Sequence, residues 1–396
     1  MSKKILILPA SVYQVPFIKY AREIGIKVYT LDNVPDNPGH QIADKSVIIS
    51  STDINEVLKF AESEKINAIL SPCSDVSLLT AAYVGERMNL IAPNIKCTET
   101  LTSKLNFREF QLMLNLPHPA FQHVNSLSDN IIISYPFVIK PDKSSGSKGI
   151  YIINKESELQ DRWDDSVANS LNKKVIIEKE ILGHHLTAEG TIRNEKVEHL
   201  FLSDRITAPR PFVATWGHIM PSVLSQNTQL LKEIKYQIEK IMGVLNYASG
   251  PFDADVVVDN EEKVYIIEIT PRPGGNSLTK IILNAYGFDM VKYAVLHSLG
   301  MDYSTPLNSS PRLTKLMLFG KTYPSILEYD KGDLIELSKH PNIKHISLDY
   351  PPGTELRPFT NGKYRAGEVV IEAESMEEIY KIEKDIIEPK IKFNKK

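Results

Sequence analysis

Alternating strand and helix patterns run through residues 4–92 and constrain the fold more than any other feature of the sequence. Short apolar runs typical of buried strands are each followed by an amphipathic stretch or a polar segment. Strands that alternate with helices predict a parallel, doubly wound sheet. The predicted strands are Lys4–Leu8, Lys27–Leu31, Ser46–Ser50 and Ala68–Leu70, and the predicted helices include Val15–Ile24 and Val76–Met88.

The pattern changes after residue 95. Residues 98–115 are predicted to be helical, residues 131–190 are strand-rich, and Gln229–Leu245 repeats apolar residues at helical spacing. A β-hairpin and a second helical stretch, residues 279–299, follow. From about residue 305, short strands and helices mix. We therefore predict an α/β and α+β chain with three parts, which are residues 1–95 (α/β), 96–304 (β-rich) and 305–396 (small α+β).

Composition excludes several classes of function. The 46 Lys and Arg residues nearly balance the 49 Asp and Glu residues, which argues against a general nucleic-acid binder. The two cysteines form no disulfide framework or zinc motif and suit a reducing compartment. The apolar run near the N-terminus is too short for a secretory signal, and no stretch is long enough to span a membrane. We expect a cytoplasmic protein that binds neither nucleic acid nor membrane.

The late hairpin, "FDADVVVDNEEKVYIIEIT", carries carboxylates on both strands. Side chains alternate between faces along a strand, so an even-numbered turn near residues 260–262 places Asp255 and Glu268 on one face, roughly 5–8 Å apart. Two carboxylates at that distance repel unless a cation lies between them, and Mg²⁺ prefers carboxylate and phosphate oxygens. The alternative is a pair of solvated acids. Glu268 interrupts an apolar run, which favours the metal site.

The loop that follows, "TPRPGGN", holds Arg272 between two prolines. A planar guanidinium binds phosphate or carboxylate through two parallel hydrogen bonds. The alternative is a surface loop with a solvated arginine.

An earlier stretch, "VIKPDKSSGSKGIYII", predicts two strands joined by a long polar tip. The tip contains Ser144, Ser145, Gly146, Ser147, Lys148 and Gly149, and Lys140 ends the first strand. Backbone N–H groups and lysines in a mobile loop can close over phosphates. The spacing is not that of a Walker loop, and a plain flexible loop is the alternative.

Two further segments bear on nucleotide binding. The strand "VIIEKEILG" ends in Glu178, whose carboxylate can accept a hydrogen bond from an exocyclic amine. The first strand-to-helix turn, Leu8–Ser11, has no glycine, so it lacks the dinucleotide-binding fingerprint. The N-terminal part is therefore predicted to be a scaffold or a substrate-side domain.

Taken in order along the chain, these pieces resemble the ATP-grasp superfamily over roughly residues 1–300. The resemblance rests on Lys104, "FVIKP", the Ser/Gly-rich loop, "IEKEILGHHLTAEG" and "FDADVVVDNEEKVYIIEITPRPGG". It implies two β-rich lobes that clamp ATP, with the nucleotide-binding lobe at about residues 120–185. The N-terminal domain is similar to the one that precedes the clamp in carbamoyl-phosphate synthetase and biotin carboxylase.

The resemblance also implies roles for individual residues. Lys104 and Lys140 would hold the α- and β-phosphates, and residues 143–149 would close over the γ-phosphate with Lys148 where many relatives have Arg. Adenine would meet Glu178 and the backbone of Lys179 and Ile181. His185 would lie at the ribose. Mg²⁺ or Mn²⁺ would bind Asp255, Glu268 and Thr270, the last standing where relatives have Asn, and Arg272 would stabilise the transferred phosphoryl group.

The implied activity is that of a carboxylate–amine ligase, which forms an acyl-phosphate from ATP and transfers the acyl group to an amine. Residues 203–225 are similar to a stretch of L-amino-acid ligases, so Asp204, Arg210, Trp216 and His218 would border the acceptor pocket. Arg357 and Arg365 in the C-terminal part are expected at the surface. The partners would be small carboxylates and amines, and a homodimer is one assembly to test.

Two other functions remain open from the sequence. One is a carboxylase that activates bicarbonate and shares the clamp. The other is a regulatory protein that binds ATP without turnover, which Thr270 keeps open because it replaces the usual third metal ligand.

Overall fold

The structure is a computed structural model that describes residues 2–308 and 310–396. Its N-terminal part is a four-stranded parallel sheet in the order β3-β2-β1-β4, as the alternating pattern predicted. The strands are β1 (Lys4–Ile7), β2 (Lys27–Leu31), β3 (Lys45–Val47) and β4 (Ala68–Leu70). The helices are α1 (Val15–Glu23), α2 (Pro38–Ile42), α3 (Ile54–Glu64) and α4 (Leu78–Met88).

Two helices, α5 (Ile95–Thr102) and α6 (Lys104–Met113), connect this sheet to the rest of the chain. The sequence predicted one helical stretch over residues 98–115, which is wrong at Ser103. Ser103 has extended backbone angles, and its hydroxyl accepts the N–H of Asn106 at 3.2 Å. This cap begins a new helix with Lys104 as its first residue, which places that lysine at the edge of the next lobe.

A small antiparallel sheet follows, in the order β5-β8-β6-β7. It contains the predicted hairpin, since β6 pairs with β7 on either side of the Ser/Gly-rich loop. One face packs against a helix through Phe137, Ile139, Ile177 and Trp163. The elements are β5 (Phe121–Val124), β6 (Phe137–Pro141), β7 (Tyr151–Ile153), α7 (Glu156–Ala168) and β8 (Val175–Lys179).

The largest element is an eight-stranded sheet in the order β13-β12-β9-β10-β11-β14-β18-β16. Its first five strands belong to the predicted β-rich part. These strands are β9 (Gly183–Arg193), β10 (Lys196–Thr207), β11 (Thr215–Met220), β12 (Gly250–Asp259) and β13 (Val264–Thr270), and the helices of this part are α8 (Thr228–Val244), α9 (Leu278–Tyr286) and α10 (Met290–Ser298).

The C-terminal part extends this sheet. The sheet crosses the predicted boundary at residue 305, because β14 pairs with β11. The remaining elements are β14 (Leu313–Phe319), β15 (Ser325–Tyr329), α11 (Lys331–Ser338), β16 (Ile343–Leu348), β17 (Glu355–Leu356), a 3₁₀ turn (Gly362–Tyr364), β18 (Gly367–Ala373), α12 (Met376–Ile382), a π-helical turn (Glu383–Ile387) and β19 (Ile391–Lys395). The division into three domains stays a prediction.

The hydrophobic cores also cross the predicted boundaries. Ala294, Val295 and Leu299, on and after α10, pack with Ile5 and Phe17 of the N-terminal sheet. The N-terminal part is thereby attached to the β-rich part by buried apolar surface. Among the residues described, no helix is both long and apolar enough to cross a membrane.

Candidate active site

A cavity of about 690 Å³ lies between the small sheet and the eight-stranded sheet. The small sheet contributes β6, β7, the loop between them and the end of β8, while β9, β10, β12 and β13 face it from the other side. Among the predicted site residues, those that border the cavity are Lys104, Lys140, Ser144, Ser145, Gly146, Ser147, Lys148, Glu178, Lys179, Ile181, His185, Asp255, Glu268, Thr270 and Arg272. Residues up to 168 positions apart in the chain therefore meet in one place, since Lys104 and Arg272 both face it.

Gly149 is the exception to that set, because it does not border the cavity. Its φ is +69°, and a Cβ there would lie 2.9 Å from Pro141 Cγ and 3.1 Å from the Ser166 Cα. Its carbonyl accepts the Ser166 hydroxyl at 2.7 Å. A glycine is required there because the loop packs closely onto α7, and a role of Gly149 in phosphate binding stays a prediction.

Three cations and one carboxylate form the end of the cavity nearest the Ser/Gly-rich loop. Lys140 Nζ lies 2.5 Å from Glu178 Oε2, and Arg108 Nε lies 2.9 Å from Oε1. Lys104 Nζ donates to the Ser144 carbonyl at 3.4 Å. Burial lowers the pKa of Lys140 although Glu178 opposes it. For Glu178, burial alone would raise the pKa, but Arg108 and Lys140 outweigh it and hold the pKa at about 2.

Arg108 was missed by the sequence analysis. It is fully buried on α6, and Nη2 also donates to the Ile267 carbonyl at 2.7 Å. That carbonyl lies beside an irregularity in the β12–β13 ladder, where Asp255 pairs with Glu268 but Val256 pairs with Ile266. The available signal was an arginine between two phenylalanines in "NFREF". Arg108 thus links Glu178 to the carboxylate hairpin.

The predicted metal ligands lie opposite each other in the structure. Asp255 and Glu268 are direct partners across β12 and β13, and both face the cavity. The expected even-numbered turn is wrong, because Val258 pairs with Val264 and leaves an odd number of residues between them. The register shift between Asp255 and Val256 brings the two carboxylates opposite each other. Thr270, two residues further on, borders the same cavity. No cluster of three or more His, Cys, Asp or Glu in residues 2–308 and 310–396 is arranged as a metal site. Two carboxylates fit Mg²⁺ that takes its other ligands from phosphate and water, and the assignment stays a prediction.

Arg205 was also missed, and it is bonded to one of those carboxylates. Its Nη1 donates to Asp255 Oδ2, and its Nε donates to Thr215 Oγ1 at 2.7 Å. Its neighbour Asp204 was predicted to border the cavity instead. Successive residues of a strand face opposite sides, so only one of the two can do so. Asp204 accepts from Val223 N at 3.1 Å and lies 2.7 Å from His184 Nε2.

Four residues of the stretch 203–225 were predicted to border the acceptor pocket. Arg210 and His218 do so, whereas Asp204 and Trp216 do not. Trp216 instead stacks on Phe359, with ring centroids 5.6 Å apart. His218 is buried with Nδ1 3.1 Å from Ser203 Oγ, and burial lowers its pKa to about 3, so it is neutral at pH 7.

At the opposite end from the lysines, Arg272 joins the two larger parts of the chain. Its Nε and Nη2 lie 2.7 and 2.5 Å from Asp75 Oδ1, after β4, and its Nη1 donates to Asp253 Oδ2 at 3.0 Å. Asp253 pairs across the ladder with Glu189, which accepts the N–H of Gly274. Burial raises the pKa of Glu189, and it raises that of Asp253 to about 7 despite Arg272. This end therefore contains several buried acids.

The N-terminal part contributes only uncharged and acidic groups to this end. Within residues 2–95, the cavity is bordered by Tyr13, Cys73, Ser74 and Asp75, and none of these is Lys or Arg. The glycine-free turn after β1 is occupied by other contacts, because Ala10 N donates to Asp32 Oδ2 at 3.0 Å.

The two arginines of the C-terminal part differ in burial. Arg357 is exposed, as predicted. Arg365 is 6% exposed, with Nε 3.0 Å from Asp349 Oδ2 and Nη1 2.6 Å from Glu368 Oε2. The prediction that Arg365 lies at the surface is wrong, because two carboxylates compensate the burial of its charge.

Comparison with known proteins agrees with this geometry. Residues 133–280 match the family model described as an ATP-grasp domain. The chain contains an ATP-grasp domain. The match covers the small sheet, the Ser/Gly-rich loop and the carboxylate hairpin, so the resemblance in the sequence is confirmed there.

Similarity to individual proteins extends beyond that domain and covers most of the chain. A formate-dependent phosphoribosylglycinamide formyltransferase of Prochlorococcus marinus (strain MED4) is 26% identical over 290 residues, which are 71% of this chain and 72% of the relative. With an ATP-grasp domain, this likeness supports an enzyme of the ATP-grasp ligase type.

Solved structures show the fold. An L-amino acid ligase from Bacillus licheniformis superposes with a TM-score of 0.84 at 18% identity and covers 100% of this chain and 99% of that one. A phosphoribosylglycinamide synthetase from Anaerococcus prevotii superposes with a TM-score of 0.77 at 19% identity, with 100% of both chains covered. At these identities the comparison establishes the ATP-grasp fold with its N-terminal parallel sheet.

Proposed function

We propose that this protein is an ATP-dependent carboxylate–amine ligase that forms an amide bond through an acyl-phosphate and releases ADP and phosphate. One observation supports this most strongly. A single cavity is bordered by the lysines Lys104, Lys140 and Lys148, by an opposed pair of carboxylates on β12 and β13, and by the buried Arg272. ATP, the transferred phosphoryl group and a carboxylate substrate fit these three regions in that order.

Each region contributes a distinct task. Lys104, Lys140 and Lys148 neutralise phosphate charge, and the loop around Gly146 excludes water so that the acyl-phosphate does not hydrolyse. Asp255, Glu268 and Thr270 hold Mg²⁺, which supplies charge neutralisation at the phosphates. Arg272 orients the acyl group. No protein nucleophile is needed, because positioning and charge neutralisation carry this chemistry.

The nucleotide base would lie beside the end of β8. Glu178, Lys179 and Ile181 border the cavity there, and His185 faces it from β9. Glu178 Oε2 already accepts from Lys140 and Arg108, so its first task is to fix these cations. We propose that the adenine amine contacts Glu178 in addition, while the backbone of residues 179–181 meets the ring edge.

The cavity favours unphosphorylated substrates over a phosphoribosyl amine. A phosphate group needs cations or free N–H donors. The described residues of the N-terminal part provide no Lys or Arg at the cavity. We therefore propose amino acids or other small carboxylates and amines as substrates, as in the named ligase of like fold.

The test is phosphate release by the purified protein with ATP, Mg²⁺ and pools of small carboxylates and amines. We expect release that requires both a carboxylate and an amine, together with an amide product seen by mass spectrometry. Parallel reactions contain bicarbonate alone, or formate with phosphoribosylglycinamide. Release with bicarbonate alone would indicate a carboxylase, and tight ATP binding without release in any mixture would indicate a regulatory protein.

A further inference from the structure

Two consecutive residues at the wall of the cavity have left-handed backbone conformations without being glycine. Asn276 has φ +49° and Ser277 has φ +56°. They lie between Arg272 and helix α9, and Gly275, Asn276 and Leu278 all border the cavity. Asparagine tolerates this conformation, whereas serine adopts it rarely, so surrounding contacts must hold the turn in place.

Glu368 provides one of those contacts from nearly 100 residues away in the sequence. The hydroxyl of Ser277 donates to Glu368 Oε1. Glu368 is 2% exposed near the start of β18, and its position is fixed by Lys280 Nζ at 2.7 Å and Arg365 Nη1 at 2.6 Å. A carboxylate with several charge-assisted bonds has little freedom to move, so it is a rigid acceptor for Ser277.

Arg365 provides a second contact to the same wall. Its guanidinium lies 4.9 Å from the centroid of the Tyr13 ring, and the Tyr13 hydroxyl donates to Asn276 Oδ1 at 3.3 Å. Tyr13 borders the cavity from the N-terminal part of the chain. The C-terminal pair Arg365 and Glu368 thus reaches both residues of the strained turn, one directly and one through Tyr13.

We infer that Glu368 and Arg365 are positioning residues for the carboxylate and amine end of the cavity, which act by holding the Asn276–Ser277 turn in its left-handed conformation. The inference rests on the proposed ligase function, which assigns ATP to the lysine end and leaves this end for the other substrates. Through this role the C-terminal part of the chain takes part in the reaction, although neither Arg365 nor Glu368 borders the cavity itself.

Two substitutions at Ser277 separate conformation from chemistry. Ser277→Ala removes the hydroxyl and keeps a Cβ, so the left-handed conformation loses its support. Ser277→Gly also removes the hydroxyl but adopts a positive φ without steric cost. The control is Ser298→Ala, which removes a buried hydroxyl that donates to the Val295 carbonyl in α10, away from the cavity.

We expect Ser277→Ala to raise the KM for the carboxylate or the amine about tenfold, with the KM for ATP changed less than about twofold. Ser277→Gly should recover most of this loss, and Ser298→Ala should match the wild type. Wild-type KM values in Ser277→Ala would overturn the inference. Equal damage in the Gly and Ala variants would also overturn it, because the hydroxyl would then act on the substrate itself.

A second measurement does not depend on turnover. Glu368→Asp keeps the negative charge beside Arg365 and Lys280 but withdraws the acceptor oxygen from Ser277. We expect faster hydrogen exchange of the backbone amides of residues 274–279 in this variant, with residues 290–298 as the internal control. Unchanged exchange in residues 274–279 would overturn the positioning role. A wild-type protein that releases no phosphate with any substrate pair would refute the proposed function and leave this exchange test intact.

Discussion

The guanidinium of Arg205 donates a hydrogen bond to the carboxylate of Asp255, the residue opposite Glu268 in the hairpin. Arg205 is also fixed by Thr215, so it lies in a defined position at the floor of the cavity. A positive group on one of the two carboxylates reduces their mutual repulsion. It also competes with any divalent cation for the same oxygens.

Replacing Arg205 by alanine is expected to strengthen divalent cation binding. An exposed or half-exposed charge pair contributes about 1 kcal/mol, so the affinity of the ADP-bound protein for Mn²⁺ should rise about fivefold. Electron paramagnetic resonance of free Mn²⁺ measures this without turnover. Arg210→Ala is the matched control, because Arg210 borders the cavity but pairs with Glu180. Equal Mn²⁺ affinity in wild type and Arg205→Ala would show that Arg205 does not compete.

Glu268→Gln is expected to abolish phosphate release while the fold survives. Within the described residues, no side chain is bonded to the Glu268 carboxylate, so its removal should change the free energy of unfolding by less than about 0.5 kcal/mol. Loss of a metal ligand should lower the rate of phosphate release about 100-fold or more. The control is Glu261→Gln in the exposed turn of the same hairpin. A rate near that of wild type would refute the magnesium assignment.

Lys140→Ala is expected to raise the KM for ATP at least about tenfold and to leave the KM for the amine nearly unchanged. The physical reason is its place at the phosphate end, fixed by Glu178 at 2.5 Å. Stability should also fall by about 1–3 kcal/mol, because Glu178 loses one of its two cations. Lys232→Ala, which removes an exposed cation on α8 away from the cavity, is the control. The opposite pattern of KM values would move Lys140 out of the nucleotide site.

The decrease in the free energy of unfolding at acid pH should depend on Glu178. Its pKa in the folded state, about 2, lies below its ordinary value of 4.5. The stabilisation is therefore fully present above about pH 4.5 and is lost as the pH falls toward 2, because the unfolded chain takes up the proton first. Urea unfolding between pH 6 and pH 3 should show a shallower decline in Glu178→Gln than in wild type. Glu377→Gln, at an exposed position, should decline as the wild type does; an unchanged slope in Glu178→Gln would contradict the prediction.

Local patterns in the sequence were sufficient for much of the fold and part of the site. The strand–helix alternation predicted the parallel N-terminal sheet, because a sequence displays such periodicity directly. Period-two alternation did not by itself place Asp255 and Glu268 on one face, because a register shift in the hairpin brings them opposite each other. The family resemblance predicted that Lys104 and Lys140 lie in one site, and both border the same cavity.

Partners of buried charges were not predictable in the same way. Arg108 and Arg205 look like ordinary polar residues in the sequence, yet each is paired with a carboxylate from a distant strand. Arg365 is buried against Asp349 and Glu368. Which face of the sheet a charged residue occupies depends on strand register. The sequence does not show that register, so Asp204 rather than Arg205 was predicted to border the cavity.

The amino-acid sequence alone determined the order of the elements and the chemical types available for the site, because periodicity, turn residues and charged groups are properties of short segments. Tertiary structure decided which charges meet. The extension of the large sheet by β14 and β18 places Glu368 against Ser277 and Arg365 against Tyr13, and these contacts exist only when segments more than 90 residues apart pack together. A charge that loses its water in that packed interior requires a partner of opposite charge. Tertiary contacts therefore determine the electrostatics of the cavity.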